Sequence, residues 1–421
     1  MRIKFISVLA ILLILLVSCK SKQNKSVTEA DKLSNYPVEN DKTSLVEGMT
    51  SFSFDYFKQL AELENNKNLC FSPASLQMAF AMVYSGAANY TYEEISNVLK
   101  FPLNPEKFYK EFDEYFEFLQ YLPNDENLEF ALANRIFLEK TYKVLDAYRN
   151  TVNKHYDGAF QPVDFINSAI KVTEEINLWV EKITKERIKD LIPIGTLDAT
   201  TRMVLVNAIY VKSQWRHAFD ETYTIKKDFH VSADKKVNTS FMTKSQKNIK
   251  HFYDEKLSAI ELPYASDNIS LILIKPNNSS IDNINSFIPD YDRYIEIMRG
   301  MRMREVVMEI PKFKIESSYS LKKSLAAYGM RTTFTDMADL SGISGVPDIK
   351  IDEVLQKVFF EIDEKGTEAA AATAIIVRQT SAMPGSEPQV FYFIADKPFI
   401  FILKENNSNT PLFVGKYVSP N

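Results

Sequence analysis

Residues 364–374 read EKGTEAAAATA, and no other stretch of this 421-residue chain restricts its fold so sharply. An alanine-rich run should be helical by propensity. Here it follows Val354-Leu355-Gln356-Lys357-Val358-Phe359-Phe360-Glu361-Ile362, whose β-branched and aromatic residues predict a strand. Taken every second residue, Thr367, Ala369, Ala371, Thr373, Ile375 and Val377 are all small or apolar. The interleaved set carries the charges Glu368 and Arg378. That alternation is a strand with one buriable face. Side chains this small suit a segment that slips between existing strands, and a loop able to become a strand is a switch.

Composition limits the alternatives. Hydrophobic residues make up 45% of the chain and aromatics 12%, ample for a sizeable core. The formal charge of -5, with no basic stripe, argues against a nucleic-acid partner. The two cysteines, Cys19 and Cys70, cannot form a disulfide framework, and Cys70 is expected to be a lone core thiol. There is no G-x-S-x-G elbow, H-E-x-x-H or P-loop, and His155, His217, His230 and His251 lie in dissimilar contexts. An enzyme is therefore not expected, nor is a metal or cofactor.

The N-terminus predicts export. Arg2 and Lys4 precede an apolar run from Ile6 to Val17, too short to span a bilayer, so a cleaved signal is favoured over a membrane helix. Leu16-Val17-Ser18-Cys19 resembles the lipobox of bacterial lipoproteins, which implies a signal peptide over 1–18 and acylation of Cys19. An ordinary secretory signal is the alternative. Several acyl chains anchor firmly where one binds only marginally. Residues 19–47 read as a lipidated start and polar tether, and 48–421 as one large α+β domain. The expected location is the bacterial cell envelope, at the outer membrane or cell surface.

Within that domain Ser72-Pro73 opens a helix, with Leu76, Ala79, Phe80 and Val83 at helical spacing. Val172, Ile176, Trp179, Val180 and Ile183 mark another. Strands are expected over 203–211, 269–274, 306–310, 354–362, 391–394, 399–403 and 413–418.

These motifs together resemble the serpin family from about Ser51 to Pro420. Phe71-Ser72-Pro73-Ala74-Ser75-Leu76 matches the start of the family's second helix. Asn177-Leu178-Trp179-Val180, with Thr184 and Ile188, matches another of its helices. Leu205-Val206-Asn207-Ala208-Ile209-Tyr210, with Trp215 and Phe219-Asp220, matches the strand and turn at the top of the large sheet. Ala338-Asp339-Leu340-Ser341-Gly342-Ile343 and Ala395-Asp396-Lys397-Pro398-Phe399 are further landmarks.

The resemblance implies the serpin fold: helices around a large mixed β-sheet and two smaller sheets, with an exposed reactive-centre loop near 364–390. It implies a suicide inhibitor of serine proteases, and of cysteine proteases as a further class. Cleavage of a bait bond lets the hinge (Glu364, Gly366, Thr367, Glu368, Ala369, Ala370, Ala371, Ala372, Thr373) enter the sheet and trap the acyl-enzyme. Serpins are themselves the standing example of this strand addition and switching. About ten new residues at ~0.5–1.5 kcal/mol per hydrogen bond offer on the order of 5–15 kcal/mol. That rivals a whole domain's stability, so the uninserted state must be held kinetically.

Counting sixteen residues from Glu364, as the family usually places its bait, gives Thr380-Ser381. A small β-branched residue there suits elastase-like or subtilisin-like pockets. Arg378-Gln379 is the alternate bond and suits trypsin-like or Arg-specific cysteine proteases. Met383 is disfavoured because Pro384 follows.

By resemblance Ser72, Ser75 and Asn207 form a polar cluster where the sheet opens, with Gln356 replacing the family's usual His. Buried polar groups satisfied within an ordinary core are the alternative reading of that cluster. Trp215 and Lys312 stand at the loop's mouth, with Lys312 expected to pair with Glu364. The largely acidic 93–129 region argues against glycosaminoglycan activation, and a monomer is expected. A non-inhibitory serpin, acting as chaperone or scaffold, is the rival function.

Overall fold

The computed structural model of the protein describes residues 44–122, 127–277, 283–367 and 389–420. In chain order the elements are α1 (Ser44–Leu63), β1 (Leu69–Phe71), α2 (Pro73–Tyr84), α3 (Asn89–Leu99), α4 (Pro105–Tyr121), β2 (Leu128–Glu139), α5 (Asp146–His155), β3 (Phe160–Val163), α6 (Phe165–Ile183) and β4 (Met203–Gln214). There follow β5 (Ile225–His230), β6 (Lys236–Tyr253), β7 (Leu257–Pro263), β8 (Ile269–Pro276), α7 (Tyr291–Gly300), β9 (Arg302–Pro311), β10 (Phe313–Ser320), α8 (Lys322–Tyr328) and α9 (Ser341–Ser344). The chain closes with β11 (Glu353–Ile362), β12 (Gly366–Thr367), β13 (Val390–Ile394), β14 (Phe399–Glu405) and β15 (Pro411–Tyr417). Among the described residues no helix is long and apolar enough to cross a membrane.

The strands make two sheets. One has six strands in the order β10-β11-β4-β2-β3, with β12 added against β4. It is mixed: β11 runs parallel to β4 and β2 parallel to β3, while the remaining neighbours are antiparallel. The other is a continuous nine-stranded ladder, β1-β15-β14-β8-β7-β6-β9-β13, with β5 on β6. The two smaller sheets expected from sequence are thus joined. The 18-residue β6 pairs β5 at one end, β7 at the other and β9 along its length, so it belongs to both.

Local sequence explains the elements around the site. Ser72 caps α2, its hydroxyl accepting from Ser75 N, and Pro73 occupies the first turn, where its missing N–H costs nothing. Every residue of α2 is buried, because the helix lies behind the six-stranded sheet. β4 is buried at ten of its twelve positions, the near-continuous apolar run of a strand covered on both faces. Behind it lies the main core. In front, Val172, Ile176 and Val180 of α6, with Ile188, Leu191, Ile192 and Leu197, form a second core cluster. Val204, Val206 and Ala208 of β4 and Leu355 and Phe359 of β11 complete that cluster. Cys70 is fully buried and burial pushes its thiol pKa up, which keeps it protonated.

Candidate functional site

β11 and β4 are paired along only part of their length. Their parallel ladder runs from Glu353–Val204 to Val358–Ile209 and stops there. β11 continues to Ile362 and β4 to Gln214, so the strands part toward one end. Into that end the chain turns back on itself. Gly366 pairs with Gln214 and Thr367 with Ser213, antiparallel to β4, on the edge that faces β11. Three positions of β4, 210–212, separate this wedge from the closed ladder. Among the described residues, the parted end of the seam thus holds the first two residues of an added strand.

The fit at the wedge is close. Gly366 has φ +152°, and a Cβ there would lie 2.1 Å from Ser213 O and 2.7 Å from Gln214 Cα. Only glycine is accommodated. Thr367 is 1% exposed, its Oγ1 2.5 Å from the hydroxyl of the fully buried Tyr264.

The turn leading to the wedge is held by Trp215 and its neighbours. The Trp215 indole Nε1 donates to Asp363 O at 2.8 Å, Trp215 N to Lys365 O at 2.8 Å, and Phe219 N to Glu364 O at 2.8 Å. The indole stacks on Tyr264, with ring centroids 4.5 Å apart and planes 20° off parallel. Glu364 meets Lys312 Nζ at 2.8 Å and accepts from the Thr224 hydroxyl at 2.6 Å. Burial alone would raise the Glu364 carboxyl, but Lys312 and Thr224 outweigh it and hold the pKa below its ordinary value.

Deeper, where the ladder is still closed, a polar row crosses the sheet. Asn134 on β2, Asn207 on β4 and Gln356 on β11 occupy matching register positions. Gln356 Nε2 donates to Asn207 Oδ1 at 2.6 Å and to Ser72 O at 2.9 Å, and Gln356 Oε1 accepts from Ser72 N at 2.9 Å. The Ser72 hydroxyl donates to Leu412 O, and the Ser75 hydroxyl to Asn134 Oδ1. Asn207 Nδ2 is buried without a hydrogen-bond partner among the described residues. Such an orphaned donor is rare in a native core.

The structure therefore brings Ser72, Ser75, Asn207 and Gln356 into one network, and Trp215 and Lys312 together with Glu364, Gly366 and Thr367 into another. Glu368, Ala369, Ala370, Ala371, Ala372, Thr373, Arg378, Gln379, Thr380, Ser381 and Cys19 lie outside the described residues. Sequence reading missed Asn134, Thr224, Asp363 and Tyr264. Asn134 left a signal, a polar residue inside the run Phe130-Ala131-Leu132-Ala133 to Ile136-Phe137. Tyr264 and Thr224 left none, since each acts only through partners distant in sequence.

A mixed sheet whose two central parallel strands are parted, with the following segment started between them, is the architecture to be matched against known families. The chain belongs to the serpin family: the profile described as Serpin (serine protease inhibitor) matches residues 47–420. It is 35% identical over 386 residues to a leukocyte elastase inhibitor of Xenopus laevis, covering 90% of this chain and 100% of that one. To Serpin B4 of Homo sapiens it is 34% identical over 395 residues, covering 90% and 100%. Its fold is similar to uncleaved ovalbumin, with a TM-score of 0.79, 29% identity and coverage of 90% and 100%.

Proposed function

We propose that this serpin inhibits serine proteases, and cysteine proteases as a second class, by suicide trapping. The observation that carries the reading is the pairing of Gly366 and Thr367 with β4 at the parted end of the β4–β11 seam. Cleavage beyond the hinge frees its downstream end, and residue by residue the chain extends the pairing it already has. In that register Thr373 arrives opposite Asn207 and offers a hydroxyl to the amide that has no acceptor among the described residues. The protease, esterified to the bait residue, is carried along and distorted before it can deacylate.

Thr380-Ser381 is the proposed scissile bond, with Arg378-Gln379 second. A β-branched residue in the bait position suits an elastase-like or subtilisin-like pocket, and the elastase-inhibiting relative supports that class. The protein acts as a monomer without glycosaminoglycan. α4, Pro105–Tyr121, carries Glu106, Glu111, Asp113, Glu114 and Glu117 against Lys107 and Lys110, the wrong balance for a polyanion. Acylation of Cys19 would tether it to the bacterial envelope, a reading that rests on the sequence alone.

The test is to mix the soluble domain with elastase, subtilisin, trypsin and papain and to run denaturing gels. A covalent complex, with the new terminus at Ser381 by mass, is expected. Loop cleavage with no complex would instead favour a non-inhibitory serpin.

A further inference from the structure

We propose that Tyr264 is a positioning residue for the trapping reaction: by holding the Thr367 hydroxyl it fixes the register in which the hinge enters the sheet. The inference rests on the insertion reading above and adds what decides whether a cut loop becomes a trap.

The need for such a residue follows from the sequence of the hinge. Strand side chains alternate between faces, so a slip of one residue exchanges the buried set for the exposed set. Here a slip would bring Glu368 to the face that Thr367 now occupies against Tyr264. Yet Ala369, Ala370, Ala371 and Ala372 are identical, so their packing cannot distinguish one register from the next. The information must come from the start of the strand.

Main-chain bonds hold the turn up to Gly366, and two side-chain features act where the strand begins. The absent Cβ of Gly366 excludes other residues from the place beside Ser213 O. The hydrogen bond between the Tyr264 and Thr367 hydroxyls selects the residue that follows. Both hydroxyls are buried, so neither has water as an alternative partner. The Tyr264 ring is itself fixed by stacking on Trp215, whose indole holds Asp363 O at the turn. Burial keeps the Tyr264 hydroxyl protonated well past its ordinary pKa, so its ability to donate persists through the physiological range. The contact also survives insertion, because Thr367 stays opposite Ser213 while the residues after it zip in. Tyr264 thus holds the nucleus from which the new strand grows.

The test uses subtilisin and elastase with the soluble domain and measures the stoichiometry of inhibition. Tyr264→Phe keeps the ring and its stack; Thr367→Val keeps the shape and loses the hydroxyl. Each should raise the stoichiometry about 3- to 10-fold, the effect of one buried hydrogen bond, and the loss should fall on trapping and not on loop cutting. The double variant should be no worse than the poorer single one, and Thr367→Ser should recover most of what Thr367→Val loses. Effects that multiply in the double variant, or a Tyr264→Phe protein that traps as well as wild type, would overturn the proposal. Should Tyr264→Phe not fold, the Thr367→Val and Thr367→Ser comparison decides alone. A wild-type protein that neither traps nor gains heat stability on loop cleavage would sink the insertion reading itself.

Discussion

Glu364 and Lys312 meet at 2.8 Å with unequal exposure: the carboxylate side chain is 5% exposed and the lysine 41%. Lys312 stands at the junction of β9 and β10, its backbone N donating to Ser240 O, while Glu364 begins the hinge. The pair therefore fastens the root of the loop to the junction of β9 and β10. Under the trapping mechanism proposed above, this contact is a restraint against spontaneous insertion.

Lys312→Ala should speed conversion to the inserted, inactive form and to loop–sheet polymers. A half-exposed ion pair is worth about 0.5–1 kcal/mol, so the rate should rise about 2- to 5-fold. Native gels and residual inhibitory activity during incubation at 45–50 °C (about 10 °C below a typical melting point) give the measurement. Unchanged rates would remove the restraint assigned to this pair.

The same contact gives a pH dependence. The folded Glu364 pKa is lowered, so the stabilisation is present above the ordinary glutamate value of about 4.3 and lost as pH falls through the folded value. Comparing Glu364→Gln with wild type isolates this group from others that titrate in acid. The ratio of their conversion rates should be constant from neutral pH down to about 5, then approach one below about 4.

Gln356 bridges Ser72 and Asn207 across the seam without a titrating group. Gln356→Leu strands the Ser72 N–H and carbonyl in a buried site, at about 1–3 kcal/mol for each unsatisfied group. Equilibrium unfolding in urea should show a loss of at least ~2 kcal/mol, with faster polymerisation. Gln356→His, by contrast, introduces a pH-sensitive opening rate between about pH 5 and 7, which wild type should lack.

Thr367→Arg places a guanidinium where 1% of the side chain is exposed, beside the Tyr264 hydroxyl. An unpaired buried charge is expelled, so β12 should be lost and strand growth blocked at its first step. The variant should be cut by target proteases as an ordinary substrate, with covalent complex reduced by at least about 100-fold (two multiples of 1.4 kcal/mol). Persistent trapping would mean that insertion does not start from Thr367.

How much of this was legible in the sequence follows from where each interaction comes from. The hinge's alternation is local and so visible in the sequence; of its inward set only Thr367 lies within the described residues, and it faces inward. Strands such as β4 and β11 were readable from continuous apolar and β-branched runs. Their parting was not, since it depends on where a ladder between residues some 150 positions apart stops. The joined nine-stranded sheet was missed for a related reason. β6 reads Lys236 to Tyr253 with six exposed positions, and a long, half-polar strand carries little periodic signal of how many neighbours it serves. Tyr264 and Thr224 matter through single hydroxyl contacts, which leave no pattern along the chain.

The central claim is tested most directly by the fate of a protease that attacks the loop. Subtilisin or elastase mixed with the soluble domain should yield a complex that survives boiling in detergent, with a mass equal to the protease plus the chain up to Thr380. Complete turnover of the loop with full recovery of protease activity, and no such complex, would contradict it.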